Sequence, residues 1–310
     1  VGGISLAPIG TDGKGMVAVK VGVYLGTSGI GNAILATPLI AALATKHEVY
    51  ICGNAEYLGV MSLIKHPEYV KEWLPDPTTT AFDVGIETYM GRLGDAPNVK
   101  NRLTFKSYDA VKKLALTTSE AEVNLLHAEA LGIIAKPKAY AIPSDRQFPG
   151  FDYCIHPGCH PASKNKRWPW FLDLVKRLKG SVAIVGSLED DAYDWPDNCT
   201  EYMDKLNLQD TAALIQSCGM MISNDSGLMH VASALDVPTI GLFGPTSDIK
   251  CGPWNSPYGI VRGDEKCQWC WRMDKNKFNK CKDNRCMKSI SVDQVLQRVR
   301  EMRDYVTTRA

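Results

Sequence analysis

Two doubly wound α/β domains facing a cleft are the fold class this sequence predicts, and three observations predict it. The chain has 310 residues, enough for two domains of ordinary size. Near its start a valine-rich run, MVAVKVGVYLG (Met16–Gly26), passes through the Gly-rich turn GTSGIG into a helical pattern and then a second short strand, HEVYICG. Strand, helix, strand is a βαβ unit, which implies a parallel sheet. The alternation restarts after AKPKAYAIPSDRQFPG (Ala135–Gly150), a stretch with three prolines and no helical period. The boundary is placed there, giving domains over residues 1–145 and 146–310.

Each element follows from its pattern. The first strand is a continuous apolar run, the mark of burial on both faces. NAILATPLIAALATK carries apolar residues at helical spacing. YVKEWLP and AFDVGIET read as two more strands joined by a Pro-rich turn. SEAEVNLLHAEALGI is an amphipathic helix with Ser119 as its cap. In the second half FDYCIHPG is strand and turn, PWFLDLVKRLKG a helix and SVAIVGS a strand. NLQDTAALIQSCG is a helix, MMISND a strand, SGLMHVASALD a helix and VPTIGLFGP a strand. SVDQVLQRVREMRDYV is a C-terminal helix capped by Ser291.

Composition excludes several classes. Hydrophobic residues make up 45%, charged residues 22%, and the formal net charge is +1. That balance gives no global attraction to nucleic acid or to an acidic membrane, so an anionic partner needs a local patch. No apolar run approaches the roughly 18–20 residues of a membrane span. The first residues lack the basic start and apolar core of a signal peptide, which favours a reducing, cytoplasmic setting.

Chemistry is expected at the ends of strands, where such sheets bind ligands. SNDSGLMHVASALDVPTIGLFGP (Ser223–Pro245) ends a strand in a small polar cluster and opens a helix. Asp225 or Ser226 can cap that helix. The amides of Ser226, Gly227 and Leu228 can instead seat a phosphate, aided by the helix dipole. Both readings stand on spacing alone. HPGCHPASKNKRWPW (His156–Trp170) also follows a strand and gathers Lys164, Lys166 and Arg167. It is either a solvated basic loop or a source of cations for a departing diphosphate. The turn GTSGIGN reads G-x-x-G-x-G, with no acidic residue closing the second strand, so it is weak evidence for a nicotinamide cofactor. Its glycines, Gly29 and Gly31 among them, suit close approach of an acceptor. Cys267, Cys270, Cys281 and Cys286 are spaced C-x2-C-x10-C-x4-C, leaving structural zinc, disulfides and free thiols open. Four thiolates would close a zinc site, which excludes a catalytic metal there. Seven Lys and Arg lie between Arg272 and Lys288, a local basic patch.

These motifs together resemble glycosyltransferase family 9, the ADP-heptose:lipopolysaccharide heptosyltransferases and their relatives. GIGNAILATPLIAAL is similar to the family's N-terminal motif, HPGCHPASKNKRWP to the one opening its second domain, and SNDSGLMHVASALDVPTIGLFGPT to its nucleotide-binding motif. CQWCWRMDKNKFNKCKDNRCMKSISVDQV is similar to a cysteine-bearing tail of many members. The resemblance implies a GT-B fold of two Rossmann-like domains, with the donor held mainly by the second. It implies inverting, metal-independent transfer from a nucleoside-diphosphate sugar, ADP-heptose-like, to a glycan or glycolipid acceptor. A glycolipid acceptor would bring peripheral contact with a membrane. Asp225, Ser226 and Gly227 are then placed against the diphosphate and sugar, and Lys166, with Arg167, beside the phosphates. Glu189, or less readily Asp190, is placed on the ribose, and His230 matches a helix histidine with a packing or a functional role.

One position departs from the family. Where the heptosyltransferases carry an Asp read as general base, this chain has Asn32. An amide takes no proton at neutral pH. Asn32 can orient an acceptor, and Asp83 and Glu87 are candidate substitute bases. The alternatives are a sugar-nucleotide-binding protein without transferase activity, or a transferase acting on a protein or a nucleic-acid base. Replacing Lys166 with alanine is expected to lower turnover at least about tenfold with little change in fold.

Overall fold

The computed structural model describes residues 17–26, 29–53, 58–89, 91, 93, 98–104, 117–187, 193–255, 257–270 and 281–308. The chain divides into two compact units, Val1–Ile142 and Pro143–Ala310.

The N-terminal unit runs β1 (Lys20–Gly26), α1 (Ile30–Ala44), β2 (Glu48–Gly53), α2 (Leu58–Ile64), β3 (Glu72–Leu74), β4 (Phe82–Glu87), β5 (Val99–Leu103) and α3 (Glu120–Ala130). Its strands are all parallel, in the order β3-β2-β1-β4-β5. The chain winds outward from β1 to one edge, then crosses to build the other side from β4. That reversal is a topological switch point. Helix α1 is buried from Ala33 to Leu43 and holds Pro38 inside it. Pro38 has no N–H to give to the carbonyl of Ile34, and the Thr37 hydroxyl takes up that oxygen at 2.7 Å. Ser119 caps α3 as expected, its hydroxyl accepting from the Ala121 amide at 3.3 Å.

The C-terminal unit runs β6 (Tyr153–His156), α4 (Phe171–Arg177), β7 (Val182–Ile184), β8 (Cys199–Glu201), α5 (Leu208–Gln216), β9 (Met221–Asn224), α6 (Gly227–Ala234), β10 (Thr239–Phe243), α7 (Asp248–Cys251), β11 (Tyr258–Arg262), α8 (Arg285–Lys288) and α9 (Val292–Thr307). The sheet is again all parallel, in the order β11-β10-β9-β6-β7-β8. Its switch point lies between β6 and β9. Ile155, Ile222, Ile240 and Leu242 form the middle of the core, with Trp168 and Phe171 packed edge-on at 5.0 Å. Helix α9 adds Val295, Val299 and Met302, spaced i, i+4, i+7, and opens with a capping box between Ser291 and Gln294.

Both units are thus Rossmann-like. The strands that escape a reading of pattern are β5, β8 and β11. Each lies at a sheet edge, and VKNRL and CTE in particular are short and polar, so neither alternation nor an apolar run marks them. Their pairing with a buried neighbour makes them strands.

Candidate functional site

The C-terminal ends of β6 and β9 carry His156 and Asn224 at the switch point. Asn224 is fully buried and braces the loop that leaves β6. Its Nδ2 donates to the carbonyls of Pro157 at 2.6 Å and Gly158 at 3.2 Å, and its Oδ1 accepts from the Trp168 amide at 3.0 Å. The far end of the loop is anchored by Trp168, whose indole N–H donates to the Ile290 carbonyl at 2.9 Å. A loop pinned at both ends presents its cations in fixed places.

Lys166 is therefore no solvated surface lysine. Its side chain is 15% exposed, and its Nζ lies 2.8 Å from Oδ2 of Asp225, whose side chain is 6% exposed. Burial alone would raise the Asp225 carboxyl, but the Lys166 ammonium, with His230 and the Thr246 hydroxyl, holds it below the usual carboxylate range. Burial likewise disfavours the charged lysine, and Asp225 offsets this and holds its pKa above the ordinary value. Both partners stay ionised at neutral pH. His230, on α6 beside the pair, is depressed to about 4, first by burial, with Asp225 opposing and Lys166 reinforcing the shift. It is a neutral imidazole whose buried Nδ1 has no hydrogen-bond partner among the described residues.

The start of α6 corrects one expectation. Neither Asp225 nor Ser226 caps it: Ser226 stands at the cap position without a side-chain bond to the helix. Its hydroxyl lies instead 2.9 Å from His156 Nδ1 and 2.9 Å from the Ser223 hydroxyl. Among the described residues no side chain competes for the first amides of the helix, which leaves them as donors at the positive end of the dipole. Asp225 is turned to Lys166 and not to the helix. The uncapped start and the buried ammonium are brought together at one sheet edge by residues 59 positions apart in the chain, from Lys166 to Asp225. Gly227 and Leu228 form the first turn of this helix. Arg167 is buried, and its carbonyl accepts from Asn284 Nδ2 at 3.0 Å. Glu189 and Asp190 lie outside the described residues.

In the N-terminal unit Gly29 holds the N-cap position of α1, and a Cβ there would meet nothing within 4 Å among the described residues. Gly31 and Asn32 fall in the first turn of that helix. Asn32 Nδ2 donates to Oε1 of Glu120 at 2.6 Å. Asp83 is a correction. It is the second residue of β4, at the amino end of a parallel strand, and it is occupied there by Lys100 Nζ at 2.7 Å and the Lys20 amide at 3.0 Å. Ligands gather at the opposite, carboxyl end of such a sheet, so Asp83 is no substitute base. Glu87 does end β4, and its Oε2 accepts from the Leu93 amide at 3.3 Å. Asn224, His156 and Glu120 are the site-shaping residues that sequence reasoning missed. Asn224 offered a signal, an amide closing the buried strand MISN.

Cys267, Cys270, Cys281 and Cys286 are free thiols. Burial, then the three neighbouring thiols, push Cys286 up to about 12. Among the described residues no group of three or more His, Cys, Asp or Glu is placed to hold a metal ion. Most of the basic patch, residues 271–280, lies outside the described residues. Among the described residues no helix is long and apolar enough to cross a membrane.

Residues 134–281 match the family model for glycosyltransferase family 9 (heptosyltransferase). A lipooligosaccharide heptosyltransferase 2 of Haemophilus influenzae is 31% identical over 140 residues, covering 40% of this chain and 39% of that protein. The match thus spans about two-fifths of the relative's length. Among solved structures, a family 9 glycosyl transferase from Veillonella parvula superposes with a TM-score of 0.68 at 16% identity, covering 92% of this chain and 97% of that one. The Escherichia coli heptosyltransferase WaaC with ADP superposes with a TM-score of 0.63 at 15% identity, covering 91% and 99%. At such identities the superpositions speak for the fold.

Proposed function

From the match of residues 134–281 to the glycosyltransferase family 9 model, we propose that this chain is a glycosyltransferase of that family. It moves a sugar, heptose or a relative, from a nucleoside-diphosphate donor to an acceptor hydroxyl, with inversion at the anomeric carbon. The observation that carries the reading is the buried Lys166–Asp225 ion pair beside the uncapped start of α6. The acceptor oxygen attacks the anomeric carbon as the bond to the diphosphate breaks, its proton passing to solvent as the new bond forms, and negative charge grows on the leaving oxygen. An ammonium and free helix amides fixed in place are the groups that stabilise such charge. Asp225 holds Lys166 in place and ionised, and Ser226, Gly227 and Leu228 supply the helix end. We assign the donor to the C-terminal unit, 146–310, and the acceptor to the N-terminal one, 1–145. A solved relative bound to ADP supports ADP as the nucleotide, and the heptosyltransferase relatives support a glycan or glycolipid acceptor. The reading places the protein in the cytoplasm, with peripheral membrane contact where the acceptor is a glycolipid.

Thermal denaturation tests the donor site. ADP and ADP-heptose are expected to raise the melting temperature, since a ligand at about 100 times its Kd adds roughly 2.7 kcal/mol of stability. No shift with any nucleoside diphosphate would overturn the assignment. The charge stabilisers belong to the chain itself, so turnover is expected to survive EDTA. Any zinc on the four cysteines would then appear as a lowered melting temperature, and a rate lost to EDTA and restored by metal would contradict the metal-independent reading.

Asn32 favours a second reading, a sugar-nucleotide-binding protein without transfer, because its amide is no base. Bound ADP-heptose from which no ADP is ever released would select it.

A further inference from the structure

Helix α3 buries three polar side chains at i, i+4 and i+7: Glu120, Asn124 and His127, each 1% exposed or less. Two of them meet main-chain groups. Asn124 accepts from the Tyr89 amide at 2.8 Å and donates to the Leu35 carbonyl at 3.2 Å, and His127 Nε2 lies 2.9 Å from the Glu87 carbonyl. They fasten α3 to α1 and to the segment that leaves β4.

Glu120 differs. Its Oε1 takes the 2.6 Å bond from Asn32, a side chain just beyond the carboxyl end of β1. β1 and β4 flank the switch point of the N-terminal sheet, the place where open parallel sheets bind ligands. Fastening does not require a carboxylate, as neutral Asn124 illustrates one turn away. What the carboxylate adds is direction. A carboxylate oxygen only accepts, so Asn32 must turn its NH2 inward, and its carbonyl Oδ1 is the atom left to face elsewhere. Asn32 is partly exposed, and among the described residues nothing stands over Gly29.

We propose that Glu120 is a positioning residue that locks the Asn32 amide so that Oδ1 accepts a hydrogen bond from the attacking hydroxyl group. The inference rests on the transferase reading above. A flipped amide would set two oxygens against each other, so the charge-assisted bond admits one orientation. The ligand class is a neutral hydroxyl, on a sugar or on water, because a carbonyl oxygen backed by a carboxylate disfavours an anion.

The test uses the full chain, ADP-heptose, and water as the attacking hydroxyl, with ADP release as the rate and ADP affinity measured separately by calorimetry. Glu120→Gln can pair with Asn32 in either orientation. It is expected to lower kcat about tenfold, with donor KM and ADP affinity unchanged. The exchanged pair Asn32→Asp/Glu120→Gln keeps the bond with its polarity reversed, and the second oxygen of the new carboxylate still meets the hydroxyl. It is expected to recover the rate lost in the single variant and to give kcat an acid limb that the parent lacks. A bond that only held the fold together would restore stability without creating an ionisation in kcat. A parent rate no higher than that of Glu120→Gln, no measurable rate in either included, overturns the proposal, as does an exchanged pair without the new limb. Failure of the parent to bind ADP strikes the donor assignment instead and leaves these rate comparisons to be read separately.

Discussion

Replacing Lys166 with alanine is expected to lower turnover by about two to three orders of magnitude and to destabilise the protein in the same step. The kinetic half follows from the leaving group. One preorganised donor to a developing oxyanion contributes about 3–4 kcal/mol in the transition state. The stability half follows from Asp225. Its side chain is 6% exposed, and the ammonium 2.8 Å away is what keeps it ionised there. Removing one partner of a buried pair costs roughly 3–5 kcal/mol, because the other is left uncompensated. The sequence alone implies little change in fold. That expectation treats Lys166 as a loop cation, and the burial of its partner is what revises it.

A second variant separates the two effects. Lys166→Met/Asp225→Asn removes both charges of the pair and leaves neither uncompensated, so its melting temperature is expected to return most of the way to that of the parent. Its turnover, read as ADP released from ADP-heptose, is expected to stay low. If the double variant recovers the rate along with the stability, Lys166 is a structural ion-pair partner and the leaving-group role fails. If Lys166→Ala melts with the parent, the pair does not hold the energy assigned to it.

What could be read from the chain alone divides along physical lines. β1, β2, β4, β6, β7, β9 and β10 are legible because a strand buried on one or both faces writes its burial into consecutive residues. β8 and β11 gain their order from a neighbour and write little locally. The site divides in the same way. The helix start at Ser226 and the lysine loop are local patterns and can be found by position after a strand. Whether Ser226 caps its helix depends on His156, 70 residues away, whose ring draws the hydroxyl aside. Asn32 and Glu120 are 88 residues apart, and no spacing rule joins them. Asp83 is another kind of miss. Its place as the second residue of a parallel strand sets it at the amino end, and the alternation of strands and helices in the sequence already implies that polarity. Residue type alone made it a candidate, whereas strand direction decides which carboxylates can reach a ligand.

Acidification from pH 6.5 to pH 4 is expected to remove roughly 5 kcal/mol of stability through two histidines, one in each unit. Burial depresses both His127 and His230 to about 4. For His127 the bond to the Glu87 carbonyl opposes burial, and because a carbonyl only accepts, its Nε2 carries the proton. The sign follows from which state binds protons. Below about pH 6.5 the unfolded chain takes up a proton at each imidazole, while the folded chain stays neutral until about pH 4. Their contribution is therefore complete above the unfolded value and lost as pH falls toward the folded one, at about 3 kcal/mol for each histidine. Asp225 acts later. Its depressed carboxyl contributes above the ordinary carboxylate range and fails as pH drops through its lower folded value. Lys166 sets the alkaline limit, its raised pKa contributing below the unfolded lysine value and failing as pH rises through the folded one. Urea midpoints at pH 7, 5.5 and 4.5 measure the first phase. His127→Gln can still donate to the Glu87 carbonyl and does not titrate, so it should remove about half of the acid slope. A midpoint that does not move between pH 7 and 4.5 would mean that neither imidazole is held neutral by the fold, and the polar stripe of α3 and the histidine beside the Lys166 pair would both need another explanation.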